Sequence, residues 1–186
     1  DVPFLPAEVR GESFVVVEGA TTEGLGGLEA ALASVRASGP VVHDTVRVRT
    51  ASEVGDICEE PVDPMPALHS ARPLGGLTPQ TVDALLAVAD TPGVMQIQVR
   101  HLGGVRAGRR PGFQTGVPSE LLVTSLALVP APEAVPVILA GFATVADALR
   151  PWTEGAVAPS LLTAGEPLDR SASSTALDRL GECVAR

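Results

Sequence analysis

The chain has 186 residues, 45% of them apolar, which suits one domain with a real core and argues against disorder. A formal net charge of −9 argues against nucleic acid or an anionic membrane surface as the main partner. Lys, Asn and Tyr are absent, which excludes a Schiff-base lysine, a P-loop lysine and a tyrosine base.

In chain order, "SFVVVEGAT" (13–21) is a Val-rich run that predicts a buried strand. "GLEAALASVRAS" (27–38) has helical spacing and stops at Gly39-Pro40. "VVHDTVRVRT" (41–50) is β-branched and predicts a strand, and "ASEVGDICEE" (51–60) a short helix. The proline-rich "PVDPMPALHSARPLGG" (61–76) reads as an irregular loop. "TPQTVDALLAVADT" (78–91) predicts a helix with Thr78 as N-cap and Pro79 in its first turn. "QIQVRH" belongs to a strand over about 94–102 that runs into Gly103-Gly104 and an Arg-rich loop. "ELLVTSLALV" (120–129) is a second strand. "APEAVPVILAGFATVADALRPW" (131–152) is helical if Pro136 falls in the first turn. "GAVAPSLLT" (155–163) reads as an irregular strand, and 171–186 as a terminal helix capped by Ser171, Ser173 or Ser174.

No helix separates the strands at 94–102 and 120–129, so they are expected to pair antiparallel. The expected fold is α+β: an antiparallel or mixed sheet with helices packed on one face. Alternation puts Gln96, Gln98 and Arg100 on one strand face and Ile97, Val99 and His101 on the other. If helices cover the apolar face, the Gln/Gln/Arg face meets solvent, a ligand or another domain.

Other motifs carry less. Gly24 and Gly26 begin a dinucleotide-like glycine pattern, but Glu29 replaces its third glycine, and Glu18 and Glu23 oppose a pyrophosphate. Cys58 and Cys183 lie far apart, and His43, His69 and His101 lack metal-ligand spacing, so no metal site is expected. Arg100, Arg106, Arg109 and Arg110 form a basic island suited to a carboxylate or phosphate, or to plain solvent. The opening Asp1-Val2-Pro3 carries no signal-peptide pattern, and no stretch reads as approaching a membrane span. The expected location is the cytoplasm.

The stretches "VPFLPAEVRGESFVVVEGA", "PALHSARPLGGLTPQTVDALLAVA", "IQVRHLGG", "ELLVTSLALVPAPEA" and "ALRPWTEGAV" follow one another in an order that covers nearly the whole chain. Together they resemble the C-terminal, substrate-binding portion of bacterial FAD-linked oxidases of the berberine-bridge-enzyme and 6-hydroxynicotine-oxidase type, within the vanillyl-alcohol-oxidase superfamily. The resemblance implies a substrate domain whose broad antiparallel sheet roofs the flavin with one face and carries helices on the other. Residues 1–186 would then be one substrate-domain-like unit, incomplete at its start, without the FAD domain. Gln96, Gln98 and Arg100 would look toward substrate and flavin, and His101 would pack under the helices. The family's Tyr-x-Asn element, which lies close to the flavin ring, falls here on Ala158 and Ser160, so the tyrosine hydroxyl is missing. No catalytic residue is assigned.

The function implied is the substrate-binding part of an FAD-dependent oxidoreductase acting on a small organic or secondary-metabolite substrate, as a fragment or as one half of a split enzyme. FAD would come from a separate FAD-domain chain, not from this chain alone. The alternative is a stand-alone, non-redox binding or accessory protein descended from that domain. A third reading, a cofactor-free enzyme using Arg100, His101 or Asp44 as acid or base, has no spacing that demands it. Missing sheet strands would expose an unpaired edge, which predicts a homodimer or a poorly soluble monomer.

Overall fold

The computed structural model describes residues 11–58, 64–102, 119–163, 166–167, 170–171 and 174–184. Backbone contacts divide the chain into two units, Asp1–Asp63 and Pro64–Arg186.

In the first unit, helix α1 (Leu25–Ala37) follows Gly24, whose φ of 86° only glycine adopts without strain. The helix buries no side chain. Arg36 in its last turn pairs with Glu29 and, at 2.9 Å, with Asp44. The Val46 N–H donates to Asp44 at 3.1 Å and, with Arg36, holds that carboxyl below its usual range. A 3₁₀ turn at Ala51–Asp56 is closed by the Thr50 N–H, which donates to Glu53 Oε2 at 2.7 Å. The strands expected at 13–21 and 41–50 are not formed. Neither run has a ladder partner among the described residues, and Val15 is 95% exposed. A β-branched run becomes a strand only where a neighbour pairs and covers it.

The second unit is α+β. Strands β1 (Ala67–Leu74), β2 (Gln96–His101) and β3 (Leu121–Leu128) form an antiparallel sheet in the order β1-β3-β2. The antiparallel pairing expected of β2 and β3 is present, with Gln98 opposite Thr124. Helices α2 (Pro79–Ala87) and α3 (Val135–Leu149) share one face of this sheet. Val88, just past α2, and Val145 and Leu149 of α3 pack with Leu74, Leu121 and Val123, and Ile97 of β2 joins them. Ile138 and Phe142 extend that layer over Ala127 and Leu68. Helix α4 (Ser174–Val184) completes the described elements.

The caps match the sequence. Thr78 accepts the Thr81 N–H at 3.2 Å, Pro79 follows it, and Pro136 sits in the first turn of α3. Two readings change. The stretch expected as a loop contains β1, because β1 is an edge strand and tolerates proline. The Val129 N–H donates to Pro66 O at 2.8 Å, so even-numbered residues of β1 bond to β3 and odd-numbered ones face outward. Pro73 is odd and gives up no ladder donor. The expected strand at 155–163 is a covering segment with a 3₁₀ turn at Pro159–Leu161.

The helical stretch Pro132–Trp152 is long and apolar enough to cross a membrane by length and composition alone, where the sequence reading saw no such stretch. Core helices of globular proteins share that property, and here Ile138, Gly141, Phe142, Val145 and Leu149 are buried within the unit.

Helix α3 rides directly on the turn that enters β2. A Cβ on Gly141 would lie 2.5 Å from Pro92 O, and one on Gly93 (φ 81°) would lie 2.6 Å from Val137 O. Replacing Gly141 with Ala is expected to lower unfolding free energy by about 1–3 kcal/mol in urea titrations, because backbone cannot yield. Gly181→Ala in α4, where a Cβ meets open space, is expected to raise it by about 0.5–1 kcal/mol.

Candidate functional site

The sheet face opposite α2 and α3 is built from alternate residues of three strands. The register sets Pro73, Leu122 and Arg100 on one rung, Ala71, Thr124 and Gln98 on the next, and His69, Leu126 and Gln96 on the third. Over the β1 half, Val157 is fully buried and packs with Ala71 and Leu122, and Leu102, Leu161 and Leu162 close around them. The β2 half is more open: Gln96 and Arg100 are exposed, and Gln98 is half-buried.

The three candidates from the sequence therefore share the helix-free face, and two of them are joined. Arg100 Nε donates to Gln98 Oε1 at 2.6 Å. The Thr124 hydroxyl, buried on the central strand, reaches the same oxygen at 3.5 Å. Gln98 thus links the exposed guanidinium to the core. Gln96, one rung further, has Leu126 beside it. Ala158, half-buried, caps the 3₁₀ turn of the covering segment and Ser160, exposed, lies within it, both between Val157 and Leu161. His101 departs from expectation: it is exposed rather than packed under the helices. Asp44 is engaged by Arg36 in the first unit. Gly103, Gly104, Arg106, Arg109, Arg110 and Ser173 lie outside the described residues.

The covering segment is fastened along the outer edge of β1. The outward carbonyls of His69, Ala71 and Pro73 accept from the Thr163 hydroxyl, from Arg72 (2.7 Å) and Arg170 (3.1 Å), and from the Glu154 N–H (3.1 Å). Edge groups that would otherwise invite another strand are thereby occupied. Glu166 organises the cluster: it accepts from Arg170, from Arg72 at 3.2 Å and from the Thr163 N–H at 2.9 Å. Burial pushes the Glu166 carboxyl up, but the Thr163 N–H and the two guanidinium groups outweigh it and hold it below the usual range. Burial, reinforced by Arg170, draws Arg72 below its ordinary value. Sequence reading missed this cluster because Arg72 and Glu166 stand 94 positions apart. His69, weighed in the sequence only as a metal ligand, has its Nε2 buried without a hydrogen-bond partner among the described residues.

Set against known protein families, curated proteins and solved structures, the chain matches none. Its chemistry has to be read from its own residues.

Among the described residues, no three His, Cys, Asp or Glu side chains gather as metal ligands. The residues also do not fit a flavin dinucleotide. Gly24 begins α1 without a preceding strand, and Glu18 and Glu23 lie before it. Ala158 and Ser160 offer a methyl and a small hydroxyl where the resemblance would place groups beside the flavin ring. An open cavity of about 350 Å³ in the first unit is lined by Asp44, Thr45, Val46, Arg47 and Arg49. Its charges are partly internal pairs, with Arg47 3.9 Å from Glu53 and Asp44 held by Arg36. The helix-free sheet face is the better candidate, because it joins a fixed cation to an apolar floor.

Glu166→Gln is expected to cost about 1–3 kcal/mol near neutral pH, since two partly buried guanidinium groups lose their shared anion. Glu166 titrates lower folded than unfolded. Its contribution is therefore present above the unfolded value of about 4.3 and lost as the pH falls through the folded one. Urea midpoints of parent and variant should converge between about pH 5 and pH 3.

Proposed function

We propose that this chain supplies the substrate-binding sheet of an FAD-dependent oxidoreductase, with the flavin brought by a separate FAD-binding polypeptide or domain. The observation that supports the reading most is the helix-free face of the antiparallel sheet, where Gln96, Gln98 and Arg100 stand beside Leu122 and Leu126. A sheet with helices on one side and a mixed polar and apolar face on the other suits an orienting surface for a small organic substrate. The flavin, when brought, supplies the hydride-accepting chemistry. This chain's part is to bind and orient substrate. Such a pair of polypeptides would work in the cytoplasm.

One observation favours a second reading, a non-redox binding or accessory protein. Ala158 and Ser160 cannot polarise a substrate as a phenol would.

A chimera separates the two. The FAD-binding domain of a bacterial oxidase of the berberine-bridge-enzyme type would carry this chain in place of its own substrate domain. The expected result is a flavin whose fluorescence is quenched by iodide several-fold less than in the FAD domain alone. A chimera that holds FAD but leaves it equally open to iodide would overturn the proposal. Saturable FAD binding by the 186-residue chain alone would overturn the assignment of the flavin to another polypeptide.

A further inference from the structure

The helix-free face carries a cation without a counter-charge. Arg36, Arg47, Arg72, Arg150 and Arg170 all lie within ion-pair distance of a carboxylate, while Arg100, like Arg49 and Arg179, has none among the described residues. Glu120, across the register from Leu102, accepts the Leu102 N–H with its backbone oxygen, and its carboxylate lies 3.4 Å from where a Cβ on Gly76 would sit. The sequence around it shows the same asymmetry: residues 91–119 contain four arginines and no Asp or Glu.

Arg100 is also held in place. Its Nε–H is committed to Gln98 Oε1, and Gln98 is steadied by Thr124 on the central strand. Of the five N–H donors of a guanidinium, the four on the two terminal nitrogens remain, in the planar fork that matches a carboxylate. Leu122, its partner across the rung, is buried, and the half-buried Leu102, two residues on at the same strand parity, is the apolar neighbour left open. An anionic head and an apolar body are thus both provided for, within one side chain's reach.

We propose that Arg100 binds the carboxylate of a small organic acid whose apolar body lies against the half-buried Leu102, with Gln98 and Thr124 acting as positioning residues. The proposal rests on the reading that this face meets substrate, and it names the class of that substrate. Orientation by Gln98 removes part of the entropy that a free arginine would lose on binding.

The test titrates the full chain with benzoate, and in parallel with benzamide and inorganic phosphate, following the Arg Nε–H and Gln side-chain amide signals by NMR. Benzoate is expected to saturate and to shift the Arg100 and Gln98 signals. Arg100→Gln, an exposed change, should weaken benzoate about tenfold or more. Thr124→Val should weaken it a few-fold while leaving the Arg100 signal present. Absent saturation, equal binding by Arg100→Gln, or equal binding of benzamide or phosphate would each overturn the assignment. The two proposals fail separately. Benzoate binding with a flavin left open in the chimera leaves an acid-binding protein without a redox role. A shielded flavin with no benzoate response leaves the flavoprotein reading and removes the carboxylate.

Discussion

The second unit depends on the burial of β3 on both faces. Leu121, Leu122, Val123, Thr124, Ser125 and Ala127 are all buried, and the strand is paired along both edges. A central strand of this kind must be covered twice. The helices α2 and α3 supply one cover through Leu85, Val145 and Leu149, with Val88 just past α2. Such a layer could not be replaced by water, because each exposed aliphatic side chain would cost about 1.5–3 kcal/mol.

The second cover is made differently. The segment around Val157, Leu161 and Leu162 has no strand or long helix, so it cannot satisfy its own polar groups by a ladder. It is fixed instead by side chains and turns that close on the outer carbonyls of β1. Glu166 between Arg72 and Arg170 is the clasp. The same device fills an edge that would otherwise be open. It leaves the β2 half of the face lightly covered, and that half bears Arg100, Gln98 and Gln96. Site and fastening are two consequences of one asymmetric cover.

The polar set on that half does two jobs at different depths. Thr124 belongs to the core and is buried, yet its hydroxyl points to the same oxygen that Arg100 uses. Gln98 passes the rigidity of the central strand out to an exposed cation. A guanidinium anchored in this way is better suited to planar recognition than one that is free to rotate.

The sequence by itself determined the elements that carry their own local signals. Periodicity and caps marked α2 through Thr78 and Pro79, α3 through Pro136, and the alternation of β2. Alternation also put Gln96, Gln98 and Arg100 on one face, since side-chain direction in a strand is set by the backbone alone. The tertiary structure decided the rest, because it turned on partners far along the chain. β1 became a strand despite its prolines because β3 pairs it on the one side where Pro73 needs no donor. The runs at 13–21 and 41–50 looked more strand-like and did not become strands, for want of a neighbour among the described residues. The Arg72–Glu166–Arg170 clasp joins positions 94 or more residues apart, as does the Thr163–His69 bond. His101 shows the same limit: its strand parity was legible, but its exposure was not, because no local pattern encodes what packs over a strand face.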